Sequence, residues 1–325
     1  MKKIFLIGGA GYVGTELVPM LLDKGYQVTV YDLMIYGSNF NSNKNLKIIK
    51  GDVRDLSKLK VSLKGHDVLI HLACISNDPS FELNPKLGKE INFDCFQPLV
   101  SLSKNLGIEH FIYASSSSVY GIKEHENVNE ESSLEPITDY SKFKVDCERI
   151  LLSETSNNFI STIIRPATVC GYSKRQRLDL VVNILTNLGY HTGNIKVFGG
   201  KQLRPNIHIH DMCRSYIHVI ECERSKIENQ IFNVGFENHS VEKLAYMVKE
   251  NLENDVKIEF VKTNDERSYH ISSKKIQNQT NFKPTRDIND AIKDLIGAFD
   301  RKEFPKSMEN QMFFNIKRMQ SINLQ

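Results

Sequence analysis

The first 165 residues alternate short runs rich in β-branched and aromatic residues with stretches whose apolar positions recur at helical spacing. The runs predict strands at residues 4–8, 27–32, 47–50, 68–73, 111–115 and 161–165. The stretches between them predict helices near 12–24, 55–64, 88–106 and 139–155. Val68-Leu-Ile-His-Leu-Ala73 is nearly all apolar, as a strand covered on both faces must be. Strands alternating with helices imply βαβ units and a parallel sheet. Pro19 falls inside the first helical stretch, where it removes a backbone donor and should perturb the helix.

Beyond about residue 170 the pattern loosens, and arginine-bearing loops interrupt it at 173–177 and around Arg204. Residues 207–211 and 231–235 still read as strands, with helices near 179–188, 212–224, 240–252 and 287–299. A smaller α/β lobe closing over the sheet is the expectation. The tail 300–325 mixes lysines with Met308, Met312, Phe313, Phe314, Ile316 and Met319. It is expected to cap its own lobe, with contact to a second subunit as the alternative.

Composition narrows the class. The chain has 325 residues, 40% of them apolar and 25% charged, as in a water-soluble globular protein. A net charge of +3 is too small for a nucleic-acid or membrane footprint, so neither partner is expected. No run approaches the ~20 apolar residues of a membrane helix. The N-terminal apolar run leads straight into a glycine loop without a small-residue cleavage site, and so reads as a first strand. Six cysteines are scattered, mostly among apolar neighbours and without a Cys-x-x-Cys, as buried reduced thiols of a cytoplasmic protein would be.

Three features carry chemistry. Gly8-Gly-Ala-Gly11-Tyr-Val-Gly14 follows a strand and opens a helix. Glycines there let the backbone turn tightly and approach a pyrophosphate, whose charge rests on the helix N-terminus. Asp32 ends the second strand, 21 residues beyond Gly11, where a carboxylate accepts bonds from ribose hydroxyls and repels a 2′-phosphate. This points to NAD rather than NADP. Asp52 and Val53 end the third strand, where an adenine edge could be met or the aspartate could simply close the strand. Finally, Tyr140 and Lys144 lie four apart on a predicted helix and so share a face, shortly after a serine run at 115–118. A cation beside a phenol favours the phenolate.

These motifs, with Gly51-Asp52-Val53, His71-Leu-Ala-Cys74, Arg165-Pro166 and Arg204-Pro-Asn-Ile-His-Ile-His-Asp211, resemble the extended short-chain dehydrogenases/reductases, specifically the NAD-dependent nucleotide-sugar epimerases and dehydratases. The resemblance covers nearly the whole chain. It implies a Rossmann-type, doubly wound parallel sheet with a smaller C-terminal α/β substrate lobe. The cofactor domain would span 1–170 with 205–238 returning to it, and the substrate lobe 171–204 and 239–325. Tyr140 would be the catalytic acid/base, Ser116 the catalytic hydroxyl, and Lys144 would hold the nicotinamide ribose and lower the tyrosine pKa. Cofactor contacts would come from Gly8, Gly11, Tyr12, Val13, Gly14, Asp32, Asp52, Val53, Leu72, Ala73 and Lys144. Substrate contacts would come from Asn92, Thr168, Asn183, Arg204 and Arg267. Arg175 and Arg177 read equally well as a solvated basic loop.

Ser117 and Ser118 stand where relatives that eliminate water carry an Asp-Glu pair, which argues against 4,6-dehydration. Many relatives have asparagine in place of Thr168, and a lysine near Ser76 in some epimerases is missing. The expected function is a 4-epimerase of a nucleoside-diphosphate sugar. The second expectation is a C4 dehydrogenase or keto-sugar reductase of an NDP-hexose or GDP-heptose, because the segment 165–183 also resembles heptose-modifying enzymes. From another class comes a non-catalytic NAD(H) sensor. A homodimer through the helices near 88–106 and 139–155 is expected, and no metal. His208 and His210 read as a strand leading into a helix cap.

Overall fold

The computed structural model describes residues 2–76, 78–123, 127–263 and 268–324. Its centre is a seven-stranded, wholly parallel sheet. The strands are β1 (Lys3–Ile7), β2 (Gln27–Asp32), β3 (Leu46–Lys50), β4 (Val68–His71), β5 (His110–Ala114), β6 (Ile160–Pro166) and, late in the chain, Gln230–Val234. They lie in the order β3-β2-β1-β4-β5-β6 with Gln230–Val234 outermost. The order reverses between β1 and β4, which opens a crevice at their carboxyl ends, where such sheets bind ligands.

Alternation along β1 builds a core on each face of the sheet. Ile4 and Leu6 pack with Val28, Val30 and Ile70 under the helices Tyr12–Asp23 and Ile209–Glu221. Phe5 and Ile7 pack with Leu69, Phe111 and Ile163 under Phe96–Asn105 and Asp139–Ser153. Pro19 is accommodated within Tyr12–Asp23 on the exposed face of that helix. The single helix predicted over 88–106 is instead Pro85–Lys89, a π-turn Glu90–Asp94, and Phe96–Asn105. Such bulges recur at functional sites. β4 stops two residues early because the amides of Leu72 and Ala73 both donate to the Ile7 carbonyl as the chain leaves the sheet.

A second unit packs Val182, Leu185, Leu244, Val248 and Ile292 from the helices Val181–Thr192, Val241–Asn251 and Ile288–Asp300. The short strands Thr168–Cys170, Leu203–His208 and Glu237–Ser240 form one small sheet, and Asn194–Phe198 pairs with Lys257–Val261. The strand expected at 207–211 therefore lies earlier, and its helix begins at Ile209 with His208 as the cap. The tail first caps its own lobe, as expected, with Phe304, Phe313 and Phe314 packed against Leu178 and Leu295, and then leaves it. The helix Asn315–Ile322 packs against Asp78–Glu82, and Met319 and Leu324 join the core of the first unit. Among the described residues no helix is long and apolar enough to cross a membrane.

Candidate active site

The glycine loop is closed by geometry that other residues would break. Gly8 has φ +82°, and a side chain there would collide with the Ala73 backbone. A side chain at Gly14 would strike Gly9, so the helix can approach the loop only with glycine there. Gly11 caps the helix Tyr12–Asp23 with no side-chain bond, which leaves the N–H groups of the first turn for an anion. Asp32 accepts from the Ala10 amide at 3.0 Å and the Met34 amide at 2.7 Å. Burial raises its pKa, against the pull of those amides and of Arg175.

These groups line a cavity of about 370 Å³ that also receives Val53, Leu72, Ala73, Ser116, Tyr140, Lys144 and Thr168. The tyrosine and lysine are presented by Asp139–Ser153, whose N-terminus is fixed by a capping box between Thr138 and Ser141. Thr138 also donates to Asp78 at 2.5 Å, which ties the helix start to the opposite cleft wall. Lys144 Nζ donates to the Ala114 carbonyl at 2.6 Å and sits 5.7 Å from the centre of the Tyr140 ring. Ser116 Oγ accepts from the Ser118 amide at 3.1 Å and faces the Tyr140 hydroxyl.

Burial pushes the Tyr140 phenol well above its ordinary range, with Cys74 and Asp78 adding to the effect. Ser116 and Arg177 oppose it. The Lys144 ammonium, held by the Ala114 carbonyl, lies beside the Tyr140 ring.

The cradle fits a dinucleotide. A glycine turn without side chains meets a free helix N-terminus, a strand-end carboxylate stands at one end, and a phenol with a serine stands at the other. Residues 4–235 match the NAD-dependent epimerase/dehydratase family. The chain belongs to that family. Its similarity to individual members is distant. It is 24% identical over 251 residues to a UDP-glucose 4-epimerase of Lactobacillus helveticus, covering 72% of this chain and 76% of that one. It is 25% identical over 301 residues to a putative UDP-glucose 4-epimerase of Methanocaldococcus jannaschii, covering 90% and 97%. Among solved structures, DesIV, a dTDP-glucose 4,6-dehydratase from Streptomyces venezuelae with NAD and TYD bound, superposes with TM-score 0.84 at 20% identity. That match covers 94% of this chain and 100% of DesIV, and shows the shared fold.

Several residues expected at the ligand have their side chains engaged elsewhere, Tyr12 while still lining the cavity. Tyr12 turns its side chain inward, donating to the Gly171 carbonyl at 2.6 Å and accepting from Asn183 at 3.0 Å. Asn183 is fully buried and also bonds the Gly171 amide and the Arg177 carbonyl, so it does not line the cleft. Asn92 lies in the π-turn and clamps both backbone groups of Ile75, at 2.8 and 3.0 Å, thereby shaping the cleft wall from behind. Asp52 is held by Arg54, which also reaches Glu90. Arg204 lies behind the cavity wall with its guanidinium over Tyr269. Arg267 falls outside the described residues. His208 is spent on the His210 amide and Asp294. Among the described residues no group of His, Cys, Asp and Glu is arranged to hold a metal.

The sequence left other cleft residues open or unmarked. Arg175 and Arg177 are no solvated loop. They are buried, 4% and 8% exposed, and both face the cavity. Ser76 accepts from Arg177 at 3.1 Å and from Asn315 at 2.9 Å. Asn315 and Met319 bring the tail to the same cleft. An arginine pair spaced two apart held the only hint, since nothing local says where a tail will return.

Proposed function

We propose that the chain is an NAD-dependent 4-epimerase of a nucleoside-diphosphate sugar, acting through a transient 4-keto sugar. The supporting observation is the meeting of Ser116 and Tyr140 at one cavity wall, with serines rather than an acid pair at 117 and 118. NAD, when bound, takes up a hydride and can return it. The chain's own residues handle the proton and the charge. Tyr140 as phenolate accepts the proton of the sugar hydroxyl, and Ser116 donates to the oxygen as charge develops on it. Lys144, steered by the Ala114 carbonyl, is placed for the ribose next to the reacting ring. Ser117 and Ser118 offer no carboxylate to expel water from C5 and C6. Thr168 on the wall would face the sugar nucleotide.

A second reading is a C4 dehydrogenase or keto-sugar reductase of an NDP-hexose or GDP-heptose. Arg175 and Arg177, buried in the cleft, favour it, since they lie in the segment 165–183 that carries the likeness to heptose-modifying enzymes. The deciding experiment incubates the enzyme with candidate NDP-hexoses and NDP-heptoses and follows products by NMR. A C4 epimer without net NADH supports the epimerase. A released 4-keto sugar with stoichiometric NADH overturns it in favour of the second reading. NAD(H) binding with no conversion of any sugar would leave a sensor. We also propose a homodimer through the faces of Phe96–Asn105 and Asp139–Ser153. Cys147 and Leu151 are already buried in the chain's own core, and Phe143 and Ile150 remain half-covered for a partner. Light scattering at micromolar concentration tests it.

A further inference from the structure

Arg175 and Arg177 stand two residues apart on the loop that follows Thr168–Cys170, and their surroundings differ in a telling way. Arg177 is neutralised: Nε meets Asp179 at 2.9 Å and Nη1 donates to Ser76 at 3.1 Å, while Nη2 is buried without a hydrogen bond. Arg175 makes no ion pair among the described residues. Its Nη2 donates to Asn315 at 2.6 Å, its plane lies 3.5 Å from the centre of the Tyr36 ring, and Nε and Nη1 are buried without a hydrogen bond. Burial, with the like charge of Arg177, pulls its pKa down to about 10.

A buried guanidinium with idle donors is costly unless an anion arrives. Both arginines line one cavity, with these three donors just beneath its surface, and a guanidinium pair so placed suits an anion with several oxygens once the side chains turn toward it. Its place follows from the neighbours. Asp32, at the ribose end of the glycine cradle, feels the charge of Arg175, and Tyr12, the first residue of the helix that faces the pyrophosphate, feels that of Arg177.

We propose that Arg175 and Arg177 form a second pyrophosphate clamp, closing on NAD from the side opposite the glycine loop. Asn315 is the pin that sets it. Its Oδ1 accepts from Arg175 and from Tyr36 at 2.9 Å, its Nδ2 donates to Ser76, and its amide donates to Asp179 at 3.0 Å. One tail residue thus fixes both arginines and the loop after β2. The inference requires cofactor binding and holds whichever sugar reaction the enzyme performs.

The test is calorimetric titration of Arg175→Met, Arg175→Lys and Asn315→Ala with NAD, ADP-ribose, adenosine, UDP and GDP. Arg175→Met is expected to weaken NAD and ADP-ribose by about ten- to hundredfold, the scale of a lost charge-assisted hydrogen bond. Adenosine, which lacks the phosphates, should bind as to the wild type, and so should UDP and GDP. Arg175→Lys keeps the charge without the fork and should lose less. It carries the test alone if the methionine variant does not fold. Asn315→Ala should weaken NAD and ADP-ribose without touching adenosine. Unchanged NAD and ADP-ribose in the arginine variants would overturn the clamp. Weakened UDP or GDP with unchanged NAD would overturn it in favour of a substrate diphosphate site.

Discussion

Arg165 and Glu148 form a two-point ion pair, at 2.6 and 2.9 Å, with side chains only 2% and 3% exposed. The Ser115 hydroxyl donates to the same carboxylate. The remaining Arg165 nitrogen donates to the Tyr120 hydroxyl at 2.8 Å, which donates in turn to Asn233 at 2.7 Å. One network therefore joins the helix that carries Tyr140 and Lys144, the segment that carries Ser116, β6 and the outermost strand. It holds together the parts that line the cavity.

Glu148→Ala leaves that guanidinium buried and uncompensated, and is expected to cost about 3–5 kcal/mol of unfolding free energy. Replacing both partners with apolar residues, as in Glu148→Leu with Arg165→Met, should restore much of the loss, since the pair itself gains little net stability. Urea unfolding of the single and double variants measures this. A loss under 1 kcal/mol for the single variant, on the order of a surface pair, would show that the network is dispensable.

His71 gives the fold a pH dependence of known sign. It stacks on Tyr113 and packs against Phe96, and burial, helped by the charge of Lys144, lowers its pKa from 6.5 to about 3. His110 is lowered by burial to about 3 as well. Between pH 6.5 and 3 the unfolded chain binds protons at these sites and the native chain does not. Stability is thus fully present above pH 6.5 and is lost as pH falls through that window, by about 1.4 kcal/mol per pH unit for each histidine. His71→Phe should remove about one proton's worth of slope between pH 6 and 5. An unchanged slope in urea titrations at those pH values would contradict the assignment.

The inner strands were legible because they had to be apolar on both faces, and Val68 to His71 says so without help from distant residues. The glycine loop and the Tyr140/Lys144 pair were legible because their spacing is their function. What stayed hidden depends on partners far along the chain. Asn183 matches a substrate position in sequence, yet Tyr12, Gly171 and Arg177 claim its whole side chain. Arg175 and Arg177 look like a surface loop until the tail folds back and Asn315 covers them. The π-turn at 90–94 hid inside a helical pattern because one added residue barely disturbs the spacing of apolar positions.

Asp32 should decide between NAD and NADP. Both its oxygens already hold backbone amides, and each keeps a lone pair for a ribose hydroxyl. The wild-type protein should bind NAD far more tightly than NADP. Asp32→Asn removes the charge but keeps one acceptor, and it leaves the neighbouring Arg175 uncompensated. The gap should therefore narrow by about ten- to hundredfold, a loss of like-charge repulsion worth a few kcal/mol at most. Fluorescence titration of NADH and NADPH reads it. Equal affinity of the wild type for both cofactors would end the argument.

Tyr140→Phe separates proton transfer from binding. The phenol is buried, and its nearest opposing influences are Ser116 and Arg177. Phe fills the same space, so NAD affinity should stay close to the wild-type value while turnover falls at least about 100-fold, the scale of positioned acid–base catalysis. Ser116→Ala should lower kcat with little change in cofactor affinity, because it removes a donor to the reacting oxygen. Lys144→Ala should weaken NAD binding as well, since its ammonium is set beside the reacting groups and lies over Tyr113 at 4.8 Å. In the wild type the raised tyrosine pKa makes the base form scarce at neutral pH. Turnover in the oxidative direction should then climb with pH above 7, and Tyr140→Phe should flatten that limb. Near-normal turnover in Tyr140→Phe, with the pH profile intact, would mean that another group moves the proton.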